Sequence, residues 1–433
     1  MERDSDTAAL GLDFGTTNTV VAKADRAGTT ELVEFGAACA GSEVFRSALC
    51  FWEEERAWQG IAHEAGPWAI DEYLQSPLDS RFVQSFKSVA ASPLFERALI
   101  FNRPCRFEDL GRLFLQKLVG HAGGMLDDRP RRVVIGRPVE YAGARADAAL
   151  ARERYDRMFE AFGTELYYVF EPLGAAHSYA SRLSAPATIL VADFGGGTTD
   201  FSVVRIAEPG APRRCVPLAS SGIAIAGDQF DYRIVDRLVL PLLGKGSHYR
   251  SFEKILEIPG GYFAEFGNWS RLALMRNRRT LDELRRLQRD AVHPERIERM
   301  IGLIEHEQGF PLYDAVGRLK RALSDGEAAE FAFDGGGVEI RAEVRRADFE
   351  GWIADDLGRI ESAMDDALAR AGIATGEVDR VFLTGGSSLI PAIRAIFDRR
   401  FGSERIATGG ELTSIAHGLA LIGREENPAE WAS

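Results

Sequence analysis

Two apolar blocks in this chain stop abruptly at glycine and then resume. The first, "ALGLDFGTTNTVVAKAD" (residues 9–25), is apolar, then Gly-Thr-Thr-Asn, then β-branched and apolar again. The second, "ILVADFGGGTTDFSVVRI" (189–206), repeats the pattern around Gly195, Gly196 and Gly197. Each predicts strand, tight turn, strand. Each turn opens with Asp-Phe-Gly, at Asp13 and Asp193, 180 positions apart. Matching contexts of this kind suggest two related halves facing one ligand. Between them, "RRVVIGRPVEYAG" (131–143) predicts a buried strand ending at Pro138. "RADAALARERYDRMFEAFG" then predicts a helix with Gly163 near its stop. "ELYYVFEPLGAAHSYASRL" predicts a short strand, then a small-residue helix opened by Glu171-Pro172, where proline suits the first turn.

Beyond residue 206 the strand pattern fades, and residues 226–325 read as mostly helical. "RLALMRNRRTLDELRRLQRD" (271–290) predicts a basic helix, most simply a solvated amphipathic face. "LYDAVGRLKRALSD" predicts another helix. "AEFAFDGGGVEIRAEVRRADF" predicts a hairpin turning at Asp334 to Gly337, followed by a helix start. "VDRVFLTGGSSLIPAIRAIFDRRFG" (378–402) predicts a strand, a Gly-Gly-Ser-Ser turn and a helix. The last stretch, "SIAHGLALIGREENPAEWAS", predicts a small-residue helix and a polar tail.

The chain's 433 residues exceed one compact core, so two or more domains are expected. The net charge of −13 argues against indiscriminate nucleic-acid binding. No apolar run reaches the roughly twenty residues of a membrane span. The acidic start "MERDSDTAALGLDFG" lacks a signal-peptide pattern, so a cytoplasmic location is expected. Cys39, Cys50, Cys105 and Cys215 form no CxxC, and the seven histidines are scattered; reduced thiols and no structural zinc follow.

Three glycine turns after strands are three places where backbone N–H groups can converge on an anion. Thr16, Thr17, Thr198 and Thr199 add hydroxyls. Asp13 and Asp193 would repel phosphate unless a divalent cation lay between; Mg²⁺ is held in this way by one or two carboxylates, phosphate oxygens and water. A polyphosphate with Mg²⁺ is therefore the ligand expected at these turns.

The order "GLDFGTTNTVVA", "FEPLGAAHSYA", "VADFGGGTTDFSVV", "VFLTGGSSLIPAIRAIF" resembles the actin-like ATPase superfamily. It is most similar to the nucleotide-binding domain of the heat shock protein 70 (DnaK-type) chaperones, and among them to the short bacterial YegD-like proteins. The resemblance runs from about residue 8 to 424, dense at the turns and thin between 231 and 340. It implies an α/β, actin-like ATPase fold of two lobes, each a mixed five-stranded sheet with flanking helices, plus helical and β subdomains. Lobe I would span 1–186, with 413–433 returning to it and 39–106 as an outer subdomain. Lobe II would span 187–412, with 231–344 as an outer, mostly helical subdomain.

The resemblance also implies roles. Asp13, Gly15, Thr16, Thr17 and Asn18 would contact the β- and γ-phosphates, and Gly195, Gly196, Gly197, Thr198 and Thr199 would approach from the other lobe. Asp13 and Asp193 would hold hydrated Mg²⁺, and Asp200 would help hold a monovalent cation, K⁺. Lys87, in "SRFVQSFKSVAAS", would sit at the γ-phosphate; Glu171 would orient water; Thr198 would lie near the γ-phosphate; Pro138 would couple nucleotide state to lobe geometry. Phosphoryl transfer needs positioned charge more than covalent chemistry, so such a set suffices for slow attack of water.

On the adenosine side the resemblance assigns Gly227, Lys320, Arg321, Ser324, Gly385, Gly386, Ser387 and Ile390. It departs at Gly317, where the chaperones have glutamate, at Leu389, where they have the adenine-stacking arginine, and at Leu412, where they have aspartate. Losing such contacts costs about 1–2 kcal/mol each, so weak base specificity is expected. No peptide-binding domain is expected within the chain. The expected activity is that of an ATP/ADP-binding, weakly hydrolysing chaperone-like protein, with a protein partner or client elsewhere, on the helical region. Two alternatives stand beside it: a nucleotide sensor without turnover, and a kinase for a sugar-type metabolite, for which no general-base aspartate is evident.

Overall fold

The computed structural model describes the chain except residues 1–6, 37–41, 58–59, 78, 102, 128–130, 143–144, 163–164, 209–210, 212–214, 268–271, 273–274, 408, 411 and 433. Cys39 and Gly163 fall outside the described residues; Cys50 and Cys215 are buried and Cys105 is partly buried.

The two Asp-Phe-Gly blocks form the hairpins their patterns predict. Thr7–Phe14 pairs antiparallel with Asn18–Asp25, and Ala187–Phe194 with Thr199–Ile206. The registers match: Phe14 lies opposite Thr19, and Phe194 opposite Thr199. Each hairpin anchors a larger sheet of the same topology. In one, Thr7–Phe14 runs parallel to Arg132–Arg137, which runs parallel to Glu165–Phe170, while Thr30–Leu32 lies antiparallel on the far side of the hairpin. In the other, Ala187–Phe194 runs parallel to Arg380–Thr384 and this to Ile406–Ala407, with Cys215–Ile223 antiparallel on the far side. Phe45–Arg46 adds a sixth strand to the first sheet, beside Asn18–Asp25.

Both sheets belong to one compact unit made of residues 1–226 and 358–433. The inner strands are buried on both faces, which explains their continuous apolar runs rather than alternation. An aromatic core fills one side of the first sheet: the Phe14 ring lies 5.5 Å from Phe86, 5.7 Å from Phe114 and 6.1 Å from Tyr155. Two helices, Glu171–Ala180 and Ser414–Ile422, each follow the last parallel strand of a sheet and cross at glycine. A Cβ on Gly418 would fall 1.7 Å from the carbonyl oxygen of Gly174. The small-residue composition of both helices is thus a condition of their approach. The tail differs from its polar reading, because Trp431 is buried against His177, 5.4 Å between rings.

The second unit spans residues 227–357. It holds the expected hairpin, Ala328–Gly335 with Val338–Arg345, and the helix Gly309–Asp325. It is less helical than its sequence suggests: His248–Ser251 and Lys254–Glu257 form a second hairpin. The basic helix Arg278–Asp290 is capped by the Asn277 side chain, which accepts the Thr280 N–H; residues 271, 273 and 274 of the expected span lie outside the described residues. Helix Arg346–Ala371 runs far beyond the helix start legible in the sequence.

Candidate functional site

The turns between the paired strands are held by one short backbone bond each: Gly15 N–H to the Asn18 carbonyl at 2.9 Å, and Gly195 N–H to the Thr198 carbonyl at 3.0 Å. The residue after each turn is a fully buried threonine. Thr19 bonds the Ser47 hydroxyl at 2.9 Å, and Thr199 donates to the Ile225 carbonyl at 2.7 Å. The two turns face each other, since a Cβ on Gly197 would lie 3.6 Å from the Thr16 hydroxyl oxygen. The third glycine turn meets the second, and Gly385, at φ 82°, would place a Cβ 2.2 Å from the Phe194 carbonyl oxygen. Only glycine fits there, on both conformational and steric grounds.

Lys87 is not a surface lysine. It is the second residue of a 3₁₀ turn, Phe86–Val89, whose entry residue Ser85 has φ 54°, and its ammonium meets Glu171 Oε1 at 2.6 Å with both side chains buried. Glu171 is the first residue of its helix, next to Pro172. Around this pair stand three aspartates. Asp13 retains some accessible surface, yet desolvation raises its pKa to about 7, with repulsion from Glu171 adding to this and Lys87 opposing it. Asp193 is raised well above the usual carboxylate value, first by burial and then by Glu171, Asp13 and Asp200. Asp200 is raised to about 7 by burial and Glu171, against hydrogen bonds from Thr198 and from the amides of Glu140 and Val139. Its Oδ1 accepts those amides at 2.8 Å from Val139 and 3.3 Å from Glu140. Burial lowers the charged form of Lys87, but Glu171 and Asp13 outweigh it and hold the ammonium above its usual value.

Four carboxyl groups thus share one lysine. The donor set carries more negative charge than its cations offset, which fits a site for a bound cation. Among the described residues no three His, Cys, Asp or Glu side chains converge as direct ligands of one ion. An ion held by Asp13 and Asp193 would therefore take its other donors from water and phosphate, and Asp200 spends one oxygen on backbone amides. Pro138 directly precedes the Val139 and Glu140 amides that reach Asp200; sequence reading missed this link because backbone donors carry no residue signature.

Of the residues assigned to adenosine, Ser387 and Ile390 are buried beside Gly385 and Gly386, while Leu389 and Leu412 are exposed. In the second unit Gly227 opens helix Gly227–Leu238. Lys320 pairs with Asp231 at 2.7 Å and donates to the Gly227 carbonyl at 3.3 Å; Arg321 is exposed, and the Ser324 hydroxyl bonds its own helix at the Lys320 carbonyl.

Two mixed sheets of one topology, each closed by an Asp-Phe-Gly turn, form a mixed α/β fold consistent with that of an actin-like ATPase. Comparison with known proteins points the same way. Residues 306–429 match the family model described as Hsp70 protein. The chain is 26% identical to heat shock 70 kDa protein 6, chloroplastic, of Arabidopsis thaliana over 74% of this chain and 37% of that protein. It is 24% identical to chaperone protein DnaK of Deinococcus proteolyticus over 95% of this chain and 58% of that one. It is 25% identical to heat shock 70 kDa protein 7, chloroplastic, of Arabidopsis thaliana over 72% and 36%. These similarities support a relation to the Hsp70 family. The chain spans less than two thirds of the length of each of these relatives. Among the described residues no helix is long and apolar enough to cross a membrane.

Proposed function

We propose that the chain binds ATP or ADP with Mg²⁺ at its two facing glycine turns and hydrolyses ATP slowly, as a cytoplasmic chaperone-like protein akin to the short bacterial YegD-like members of the family. The observation that carries this reading is the buried Lys87–Glu171 pair, set among Asp13, Asp193 and Asp200 beside the turns. Backbone N–H groups of residues 15–18 and 195–199 would hold phosphate oxygens. Asp13 and Asp193 would hold the hydrated Mg²⁺, whose charge offsets the repulsion between carboxylate and phosphate. Lys87 would contribute positive charge at the terminal phosphate, Thr198 a hydroxyl, and Glu171 an acceptor that orients the attacking water. Asp200 would contribute to a K⁺ site. Clients and partners would engage surfaces away from this site.

The test joins binding to turnover. Mg-ATP and Mg-ADP should raise the melting temperature, and Mg-ATP should release phosphate slowly with no added acceptor. Lys87→Ala or Thr198→Ala should cut turnover at least about tenfold while binding persists, because such groups act on charge that develops in transfer. Asp193→Asn should weaken both. A melting temperature indifferent to every Mg-nucleotide would refute the reading. Tight binding with no phosphate release would turn it into a sensor. Release only with an added metabolite that becomes phosphorylated would make the protein a kinase.

A further inference from the structure

The second unit carries a surface that the nucleotide reading does not use. Strands His248–Ser251 and Lys254–Glu257 make a two-stranded sheet closed by a two-residue turn, Phe252-Glu253. The inner strand is tied to the rest of its unit, since Tyr249 bridges Ala291 and the Val292 N–H reaches the His248 carbonyl at 2.8 Å. The outer strand is not. All four of its residues are exposed, and among the described residues no strand pairs with its far edge.

The backbone pattern says which groups that edge offers. Ser251 and Lys254 flank the two-residue turn and form a hydrogen-bonded pair, so hydrogen-bonded and free positions alternate along the strand. The Ile258 N–H points inward, to the Ser247 carbonyl at 3.0 Å, which fixes the phase. Ile255 and Glu257 therefore turn their N–H and C=O groups outward.

The side chains add apolar surface and positive charge. Of the nine large exposed hydrophobic residues described, Phe252, Ile255, Leu256 and Val292 cluster here. Phe252 takes φ 54° at the tip, where glycine or asparagine is usual and a bulky residue is strained. Helix Arg278–Asp290 leads into residues 291–292 that bridge the hairpin. Its arginines divide in two. Arg278, Arg279 and Arg285 are paired with Asp282, Glu283 and Glu305. Arg286 and Arg289, and on the hairpin Arg250 and Lys254, have no acidic partner among the described residues.

We propose that the outer edge of this hairpin accepts an extended acidic segment of another protein as a third strand, its apolar residues against Phe252 and Ile255 and its carboxylates against these four cations. An unpaired edge is a template for strand addition, and an isolated two-stranded hairpin is marginal until a further strand joins it. The charge selects the occupant. A second copy of the same hairpin would bring like charges to the edge. A nucleic acid would meet Glu253, Glu257, Asp282 and Glu283 among the cations and gain nothing from the outward backbone groups. The proposal rests on this unit alone and stands or falls independently of nucleotide binding.

The probe is a fluorescein-labelled peptide of alternating glutamate and valine, titrated by anisotropy against the full chain. A lysine–valine peptide and a labelled single-stranded oligonucleotide serve as rivals. The acidic peptide should bind, more weakly as salt rises, and the lysine–valine peptide should not. Glu257→Pro removes one outward N–H but no inward one, and proline is tolerated on such an edge. It should reduce affinity at least about tenfold with an unchanged melting temperature. Reversal of charge by Arg250→Glu with Lys254→Glu should do the same, and provides the test if the proline variant folds poorly. Absence of peptide binding, equal binding by Glu257→Pro and the charge-reversed variant, or preference for the lysine peptide or the oligonucleotide would each overturn the proposal.

Discussion

Lys87 and Glu171 are separated by 84 positions in sequence and 2.6 Å in space, both buried. A buried ion pair adds little net stability, but removing one partner strands the other, at about 3–5 kcal/mol. Lys87→Met alone should therefore lower the melting temperature of the nucleotide-free protein more than Lys87→Met combined with Glu171→Met. Equal loss in both variants would mean that the lysine mainly offsets the aspartates. Glu64 makes a different case in the small sheet of Ile61–Ala65, Ala48–Glu53 and Ser80–Gln84. It joins Lys117 at 3.1 Å and His121 at 2.9 Å, tying strand Ile61–Ala65 to helix Phe107–His121. Burial pushes its carboxyl up, but hydrogen bonds from His121, the Ala65 amide and Lys117 prevail and hold it below its usual 4.5. Fewer protons bind folded than unfolded, so this support is present above 4.5 and is lost as pH falls through the lowered value. Glu64→Gln should lower the melting temperature at neutral pH and cost nothing in strong acid, which paired thermal scans across that range can check.

The crossing of helices Glu171–Ala180 and Ser414–Ile422 depends on two glycines. Gly418→Ala would set a methyl against the Gly174 carbonyl, and overpacking of this kind costs about 1–3 kcal/mol or more. The loss should appear as a lower denaturation midpoint, together with weaker nucleotide binding, since Glu171 opens the displaced helix. A variant with unchanged stability would show that the helices can part freely. The same elements show what the sequence conveyed. Both hairpins, the strand ending before Pro138 and the helix opened by Glu171-Pro172 were legible, because long apolar runs and punctuating Gly and Pro mark them. Hairpin His248–Ser251/Lys254–Glu257 was not: its strands have four residues each, carry charges on both faces and lie among helical patterns. Helix Arg346–Ala371 was legible only at its start, because Gly351 and Gly358 interrupt its pattern. The site was legible largely through resemblance. Periodicity marked the turns, but nothing local to "SFKSV" signals that Lys87 is buried against Glu171.

At the scale of the whole molecule, charge shapes what the turns can hold. The chain has a net charge of −13, and the groups nearest the turns are predominantly acidic. A metal-free nucleoside triphosphate, itself strongly anionic, would meet both the overall field and the local carboxylates, and backbone N–H groups alone would have to offset them. The metal complex carries less charge and places a cation where Asp13 and Asp193 repel each other. Stabilisation by ATP should therefore depend on the divalent ion. At a ligand concentration about 100 times Kd, one-site linkage gives about 2.7 kcal/mol, a clear rise in melting temperature with Mg-ATP. With EDTA the same ATP should give almost no rise, and moderate salt should partly restore it by screening the field. Asp193→Asn removes one repelling charge, so it should narrow the gap between ATP with and without metal, weakening the first and strengthening the second. The four thermal scans, wild type and variant with and without EDTA, decide the matter: an equal shift for wild type in both media would mean that the aspartates serve the fold rather than a cation.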